Sequence, residues 1–392
     1  MVQVPHLRLV ASDEASHAAW IDALATHYAP GDLELLRGAV EHAVAVFQEE
    51  RLPGGETVAD HALATAAILA ELKLDPETLA AAVLFRCLAL QPGCADVVRK
   101  KFGAGVVELA EGVLRMEQIG ALLSRAPGDH KPQQQAAQLE SLRKMLLAMV
   151  QDVRVVLIKL ADHAQQLRYT VKSPEAQEAH EAAQLTRDLF APLANRLGVW
   201  HLKWELEDLA FRILEPAMYK EIARLLDEKR VDRQRYIENV MAQLKGELSR
   251  AGIVADVSGR PKHIYSIYKK MQRKGLDFEA LRDVRAVRVL VSDVKDCYAA
   301  LGLVHHLWSP IPKEFDDYIA KPKSNHYRSL HTAVIGPEGK AVEVQIRTHD
   351  MHQHSEYGVA AHWRYKEQSR HDRSYDDKIA WLRQILEWKD DV

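Results

Sequence analysis

The chain has 392 residues, of which 47% are hydrophobic and 27% are charged, and its formal net charge is −3. This composition is typical of a soluble globular protein and excludes fibrous and disordered classes, and the length is enough for two or three domains. A domain that binds nucleic acid is usually basic throughout, so a chain with this charge balance has at most a local site for a polyanion.

The cysteine content and the N-terminus point to a reducing compartment. Three cysteines, Cys87, Cys94 and Cys297, lack the close pair spacing of a disulfide framework or a zinc knuckle. The N-terminal residues carry no basic leader followed by a long apolar segment, and no stretch approaches the ~20 apolar residues of a membrane span. We therefore predict a cytoplasmic protein that does not bind membranes.

The first half of the chain is predicted to be helical, because it is rich in Ala, Leu, Glu and Gln and has apolar residues at helical spacing. The predicted helices are Asp32–Glu49, Val58–Leu72, Glu77–Ala89, Gln134–Val150, Asp152–Arg168, Pro174–Leu197 and Trp200–Leu214. A further helical stretch, Pro216–Ala251, ends at Gly252 and is predicted to connect this half to the next.

Beyond Gly252 the pattern changes to short β-branched segments separated by turn residues. The predicted elements are strands at Ile253–Ser258, Asp283–Val291, Ser329–Ile335 and Ala341–Arg347, a helix at Val294–His306, a loop at Ser309–Tyr327, and a helix at Asp376–Asp390. In the last strand, alternation places Val342, Val344 and Ile346 on one face and Glu343, Gln345 and Arg347 on the other. We expect a mixed sheet with helices on one side and a polar face for a ligand.

The segment Gly259–Lys274 concentrates six Lys or Arg side chains in a slightly acidic chain. A helix starting near Lys262 would place the polar residues at spacings of four on one face and an apolar stripe on the opposite face. The polar residues are Lys262, Ser266, Lys270 and Lys274, and the apolar ones are Ile264, Ile267 and Met271. Such a basic face is either solvated surface or a binding site for a phosphate-rich partner.

Two carboxylates favour the second interpretation. Asp283 follows the basic segment and opens a predicted strand, and Glu343 lies on the polar face of a later strand. Taken singly, each would be a solvated residue at a strand end. Together near cations they suit metal-assisted phosphoryl transfer, because Mg²⁺ binds carboxylate and phosphate oxygens and a carboxylate can accept the proton of an attacking hydroxyl. Tyr327, among cations and amide donors, can stack on a base.

Five segments resemble, in order, the synthetase motifs of the long RelA/SpoT-type (p)ppGpp synthetases. They are Gly259–Ser266, Asp283 with Arg285, Asn325–Thr332, Glu343–Thr348 and Glu356–Trp363. The resemblance implies an α+β multidomain fold, in which an all-helical HD-type domain precedes a mixed-sheet nucleotidyltransferase-like domain. It also implies transfer of pyrophosphate from ATP to the 3′-hydroxyl of GDP or GTP, with release of AMP. The implied cofactor is Mg²⁺.

The same resemblance assigns roles to residues of this chain. The implied catalytic residues are Asp283, Glu343 and Arg260; Asp283 is an implied metal ligand, and Glu343 would either assist the metal as a second ligand or activate the hydroxyl. The implied ATP and phosphate ligands are Arg260, Lys262, His263, Ser266, Lys270 and Arg285. The implied guanine nucleotide ligands are Tyr327, Lys323, Asn325, His331 and Gln345.

The helical half resembles the HD-type hydrolase domain of this family, in which a His, a His-Asp pair and a later Asp bind Mn²⁺. His61 and Asp162 match the first and last of these residues, but Phe85 and Arg86 replace the His-Asp pair. An arginine cannot ligate a cation and repels it. The resemblance therefore implies a degenerate, inactive hydrolase site in which His61 and Asp162 are structural residues.

The predicted domains are a degenerate hydrolase-like domain at 1–197, a helical connector at 198–252, a synthetase domain at 253–366 and a C-terminal helix at 367–392. The acidic loop Glu314–Asp317 resembles that of monofunctional RelA-class synthetases. A bifunctional synthetase/hydrolase and a ribosome- or RNA-binding module are the alternative functions. The expected partners are ATP and GDP or GTP. In long family members the ribosome and uncharged tRNA bind through a C-terminal half beyond the point that corresponds to Val392.

Overall fold

The structure is a computed structural model that describes residues 14–124, 152–172, 177–228, 230–260, 262–275, 278, 285–323, 325 and 327–358. Its contacts divide the chain into a first unit within Gln3–Ala194 and a second unit within Asn195–Val359. The predicted helices Gln134–Val150 and Asp376–Asp390 lie outside the described residues.

The described part of the first unit is helical, as the apolar spacing predicts. Its helices are α1 (Glu14–Leu24), α2 (Pro30–Phe47), α3 (Val58–Glu71), α4 (Pro76–Leu90), α5 (Cys94–Phe102), α6 (Ala104–Ser124), α7 (Val153–Thr170), α8 (Gln177–Leu185) and α9 (Ala191–Arg196). Three of them begin at residues whose side chains accept a hydrogen bond from a first-turn N–H, and these caps are Thr57 for α3, Asp75 for α4 and Asp152 for α7.

Helix α4 is the central helix of this unit. Its residues Thr78–Phe85 are all fully buried, so every face of the helix is covered by neighbouring helices. Arg86 follows this buried segment and donates to Asp162 of α7 at 2.8 Å, and His61 of α3 contacts the same carboxylate at 2.8 Å, so the segment that replaces the metal-binding pair of the hydrolase motif lies beside α3 and α7.

The predicted helix Pro174–Leu197 is interrupted. A π-helical turn, Thr186–Phe190, separates α8 from α9. Pro192 has no N–H and its ring clashes with the carbonyl four residues earlier, so a regular α-helix cannot continue through this position, and the wider π turn accommodates it.

The second unit begins with three helices, α10 (Trp200–Leu214), α11 (Pro216–Glu228) and α12 (Arg230–Arg250). The predicted helical stretch Pro216–Ala251 is confirmed, and α11 and α12 occupy it. The remaining elements are β1 (Ala255–Gly259), α13 (Ile264–Lys274), β2 (Ala286–Val291), α14 (Val294–Leu307), β3 (Ser309–Asp317), β4 (Leu330–Ile335), β5 (Ala341–Thr348) and α15 (His349–Tyr357).

Five strands form one mixed sheet in the order β1-β2-β5-β4-β3. Strands β2 and β5 are parallel, with Ala286 opposite Glu343, and the other neighbouring pairs are antiparallel. The mixed sheet and the β4–β5 hairpin confirm the prediction. Val342, Val344 and Ile346 of β5 are fully buried in a core shared with α12 and α14, so the predicted alternation of this strand is also correct.

The predicted loop Ser309–Tyr327 is wrong over its first half, where β3 pairs with β4. Three prolines and many polar residues suggested a loop, and two of these prolines, Pro310 and Pro312, fall in β3. Strand β3 lies at the edge of the sheet, where proline is tolerated, and its register shifts between Pro310 and Phe315.

None of the helices in the described part of the chain combines the length and apolarity needed to cross a lipid bilayer.

Candidate active site

A cavity of about 800 Å³ opens in the second unit beside the basic helix α13. Its lining residues are Trp200, Trp204, Arg260, Lys262, His263, Ser266, Tyr268, Lys269, Lys270, Gln272, Arg273, Lys323, Tyr327, His331, Glu343 and Gln345. Six of these are Lys or Arg and one, Glu343, is a carboxylate. The wall is thus strongly positive and suits a polyanionic ligand.

Helix α13 is fixed by its apolar side. Ile267 is fully buried with Phe211, Ile222 and Phe278, and Ile264 and Met271 pack against the same cluster. The predicted apolar stripe is confirmed, and the helix turns Ser266 and Lys270 toward the cavity. The helix begins at Ile264, with His263 as its N-cap residue, slightly later than predicted.

Glu343 of β5 lies between two cations. Its carboxylate is 3.7 Å from Arg260 Nη1 and 3.6 Å from Lys262 Nζ, and Oε1 accepts a 2.6 Å hydrogen bond from Gln345 Nε2. Burial raises the pKa of Glu343, but the charges of Lys262 and Arg260 outweigh burial and the net pKa is lowered. Glu343 is therefore ionised at neutral pH.

Tyr327 and His331 form another part of the wall, where His331 of β4 pairs with Gln345 of β5. The Tyr327 hydroxyl and His331 Nε2 are 2.7 Å apart, and Lys323 Nζ lies 5.6 Å from the Tyr327 ring centroid. Burial lowers the pKa of His331 to about 4, so the imidazole is neutral at pH 7. Burial also lowers the pKa of Lys323. An aromatic ring beside a cation and a neutral imidazole can bind a planar base.

Three predicted site residues are not seen at this wall. Asp283 lies outside the described residues, so its proximity to Glu343 stays a prediction. Arg285 is absent from the lining and its guanidinium lies 5.4 Å from the Tyr236 ring centroid. Asn325 also does not line the cavity; it donates to the Asn195 carbonyl at 3.4 Å and accepts from the Tyr327 N–H at 3.3 Å, so it shapes the loop that presents Tyr327.

Sequence reasoning missed two tryptophans. Trp200 and Trp204 of α10 line the cavity although they precede the motif-bearing segments by more than fifty residues. Their spacing of four places both rings on one face of a helix, which is the signal that could have grouped them.

Sequence reasoning also missed a buried arginine pair. Arg288 of β2 and Arg347 of β5 share one oxygen of Glu356, at 3.4 and 3.3 Å. Burial and the charge of Arg347 lower the pKa of Arg288 to about 10. The Arg347 guanidinium lies 5.9 Å from the Tyr327 ring, so this pair adds positive charge next to the base-binding side of the wall.

The first unit contains a buried ionic network at the position of the hydrolase motif. Asp162 is 2% exposed. Its Oδ1 contacts Arg86 Nη2 and His61 Nε2, each at 2.8 Å, and its Oδ2 accepts from Lys159 Nζ at 2.7 Å. Burial raises the pKa of Asp162, but Lys159, His61 and Arg86 together bring it well below its usual value. Both oxygens of the carboxylate are thus already bonded to cationic side chains.

The rest of the network balances these charges. His61 Nδ1 contacts Glu56 at 2.7 Å, and Glu117 contacts Lys159 at 2.9 Å and Arg86 at 3.5 Å. Burial lowers the pKa of His61, but the bonds to Asp162 and Glu56 outweigh burial and raise it. Three acids therefore face three bases. A Mn²⁺ ion bound to Asp162 would have to displace Arg86 and Lys159, so the residues present do not fit this metal.

Two family models match the chain. Residues 39–200 match the HD domain model, and residues 259–370 match the model described as a region found in RelA / SpoT proteins. The two matches fall on the segments that carry the buried ionic network and the cavity. They confirm the predicted order of a helical HD-type domain followed by a mixed-sheet domain of the RelA/SpoT type.

Several curated proteins with similar sequences are named GTP pyrophosphokinase. The GTP pyrophosphokinases of Photobacterium angustum (strain S14 / CCUG 15956) and Escherichia coli (strain K12) are each 47% identical, over 330 and 328 residues, covering 83% of this chain and 43% of the relative. That of Myxococcus xanthus is 40% identical over 361 residues, covering 92% of this chain and 47% of the relative. The chain spans less than half the length of these curated relatives.

Among solved structures, small alarmone synthetase 1 from Bacillus subtilis, bound to its product pppGpp, is 24% identical. The match has a TM-score of 0.30 and covers 42% of this chain and 90% of that chain.

Proposed function

We propose that this chain, which belongs to the RelA/SpoT family, is a GTP pyrophosphokinase. It transfers the β,γ-pyrophosphate of ATP to the 3′-hydroxyl of GDP or GTP, which yields AMP and ppGpp or pppGpp. Support comes from the 47% identical relatives named GTP pyrophosphokinase and from the RelA/SpoT match over residues 259–370.

The observation that carries the proposal is the position of Glu343. It is an ionised carboxylate in a cavity lined by six cations, with Arg260 and Lys262 on one side. A site that only bound a polyanion would gain nothing from a buried carboxylate, whose charge repels phosphate. A carboxylate among cations instead suits a reaction in which a hydroxyl must lose its proton next to a phosphate chain.

In the proposed reaction the 3′-oxygen of the acceptor attacks the β-phosphorus of ATP. The new oxygen–phosphorus bond forms, the bond between the β-phosphorus and the oxygen bridging to the α-phosphorus breaks, and AMP leaves with that oxygen. Glu343 accepts the hydroxyl proton, and Arg260, Lys262 and Lys270 neutralise charge on the phosphates. Tyr327 stacks on the guanine base, with Lys323 and His331 beside it.

We assign Mg²⁺ as the cofactor. This ion uses one or two carboxylates and completes its shell with phosphate oxygens and water, so Glu343 together with the substrate phosphates fits it, and Asp283 is the predicted second carboxylate. When bound, Mg²⁺ supplies charge neutralisation on the transferred pyrophosphate. Within the described residues, no group of three or more His, Cys, Asp or Glu is placed to hold a metal ion, which agrees with a site that needs the substrate phosphates to complete it.

We also infer that the first unit does not hydrolyse (p)ppGpp. The closed network around Asp162 supports this, because both carboxylate oxygens are occupied by side chains that no metal can replace without leaving buried charges unpaired.

The three buried, unpaired cysteines fit a protein of the cytoplasm, where this chemistry would take place.

The test is acceptor-dependent release of AMP. The chain is incubated with ATP and Mg²⁺, with and without GDP or GTP, and AMP and the 3′-pyrophosphorylated nucleotide are quantified. The proposal predicts equal amounts of both products only when acceptor is present. ATP turnover without acceptor would contradict it, and RNA binding without any turnover would favour the alternative of an RNA-binding module.

A further inference from the structure

Helix α10 contributes a wall to the cavity, and apart from its first residue, Trp200, it lies between the two family-model matches, which cover residues 39–200 and 259–370. Trp200, Trp204 and Asp208 recur at spacings of four along it and share one face. Two of the three side chains line the cavity directly, and the third contacts the start of α13.

Trp204 contacts two cavity residues for which the resemblance implies phosphate binding. Its ring is stacked on the His263 ring, with centroids 4.9 Å apart and an interplanar angle of 22°. The Arg260 guanidinium lies 5.3 Å from the Trp204 centroid. A flat ring in contact with a guanidinium and an imidazole limits the rotamers of both, because leaving the stack would lose the cation–π and stacking contacts.

Asp208 contacts the same segment through hydrogen bonds. Its Oδ1 accepts a 2.8 Å bond from the Tyr265 N–H in the first turn of α13, and its Oδ2 is 3.2 Å from His263 Nδ1. His263 is the N-cap residue but its own side chain makes no capping bond, so Asp208 supplies the cap from another helix. His263 is thus held on its ring face by Trp204 and at one nitrogen by Asp208.

We propose that Trp204 and Asp208 are positioning residues of the nucleotide pocket, which hold Arg260 and His263 in the orientation that binds the triphosphate of ATP. The inference rests on the proposed function, and it adds to the synthetase site a wall that precedes the synthetase motifs in the chain. Neither residue is assigned a contact with the reacting atoms.

The experiment measures binding of the non-hydrolysable analogue α,β-methylene-ATP by calorimetry, together with KM for ATP and for GDP. Trp204→Ala should weaken analogue binding and raise KM for ATP about tenfold, as expected for losing cation–π and stacking contacts, with KM for GDP unchanged. Trp204→Phe keeps a ring and should stay within about threefold of wild type. Asp208→Ala should act like Trp204→Ala, whereas Asp208→Asn keeps the acceptor for the Tyr265 N–H and should bind normally.

The matched control is Tyr169→Ala in the first unit, which also removes a ring beneath a cationic side chain, since Lys172 Nζ lies 4.6 Å from the Tyr169 centroid. It should leave both KM values unchanged. Two results would overturn the inference. One is analogue binding by Trp204→Ala that equals that of the wild type. The other is an equal rise of KM for ATP and for GDP, because that would indicate general damage to the pocket. Failure of the wild-type chain to bind the analogue would instead count against the proposed function.

Discussion

Asp162 is the residue on which the buried network of the first unit depends, because three cationic side chains bond to its two oxygens. Removing one partner of a buried ion pair leaves the other charges without compensation, which is far more costly than losing an exposed pair.

We expect Asp162→Ala to lower the free energy of unfolding by about 3–5 kcal/mol, measured by urea denaturation. The control is Asp22→Ala, whose partner Arg37 lies 3.6 Å away with both side chains about half exposed or more. It should cost less than about 1 kcal/mol. Similar losses in the two variants would show that the network does not stabilise the fold.

Two neighbouring histidines predict a pH optimum for stability. Burial lowers the pKa of His163 to about 3, so the unfolded chain, with an ordinary pKa near 6.5, binds more protons below pH 6.5 and stability falls as the pH drops. The pKa of His61 is raised, so its contribution is complete below about pH 6.5 and is lost as the pH rises through the folded value.

Stability of the first unit should therefore be highest near pH 6.5. Urea midpoints measured from pH 5 to 9 check this. His163→Gln should flatten the acid side by up to about 1.4 kcal/mol per pH unit, and His61→Gln should flatten the alkaline side. A wild-type urea midpoint that rises steadily with pH through pH 8 would contradict the raised pKa of His61.

At the scale of elements, two glycines allow α15 to end against the chain that leads into α10. A Cβ on Gly358 would lie 2.4 Å from the Gly198 carbonyl carbon and 2.5 Å from the Leu197 oxygen, and its φ is +52°. Gly198 has a φ of +68°, so both residues use backbone conformations that favour glycine.

Gly358→Ala should cost about 3 kcal/mol, since left-handed strain adds to a backbone clash that no side chain can relieve. Gly275→Ala is the matched control, because Gly275 has a φ of +60° but nothing within 4 Å of the added carbon. It should cost only about 1 kcal/mol. Thermal unfolding of the two variants compares the sites, and equal losses would rule out any extra cost at Gly358, whether from the clash or from its backbone, which has a ψ of −125° where Gly275 has +35°.

Sequence patterns predicted elements whose identity depends on one buried face. The stripe of α13 and the alternation of β5 were both readable because Ile267 and Val344 belong to apolar cores, whereas polar side chains on the other face of each element, such as Lys270 and Gln345, line the cavity. Strand β3 was missed because its position at the sheet edge, which makes Pro310 and Pro312 acceptable, is set by partners distant in sequence. Trp204 was missed for the same reason, since its contact with Arg260 exists only in the folded chain.

At the scale of the whole molecule, the two units differ in how their ionic side chains are used. In the first unit the acids and bases around Asp162 satisfy one another. In the second unit, six cations and one carboxylate line a cavity and carry a net positive charge toward a ligand. We therefore expect that the first unit does not hydrolyse (p)ppGpp and that the second unit synthesises it.

Incubation of the chain with ppGpp and Mn²⁺ checks the first part of this statement, with free pyrophosphate as the readout. We expect no release above the rate without protein. Release that is abolished by Asp162→Ala would identify the chain as a bifunctional enzyme and contradict the interpretation of Phe85 and Arg86.

Glu343 is the residue on which the proposed transfer depends most, so the decisive measurement is acceptor-dependent AMP release by Glu343→Gln, with binding of α,β-methylene-ATP measured in parallel. Glutamine keeps the shape and the bond to Gln345 but cannot accept the hydroxyl proton. We predict a loss of at least about 100-fold in kcat, the size of a missing general base, while the analogue still binds. Turnover within a few-fold of wild type would show that Glu343 is not the residue that carries the transfer.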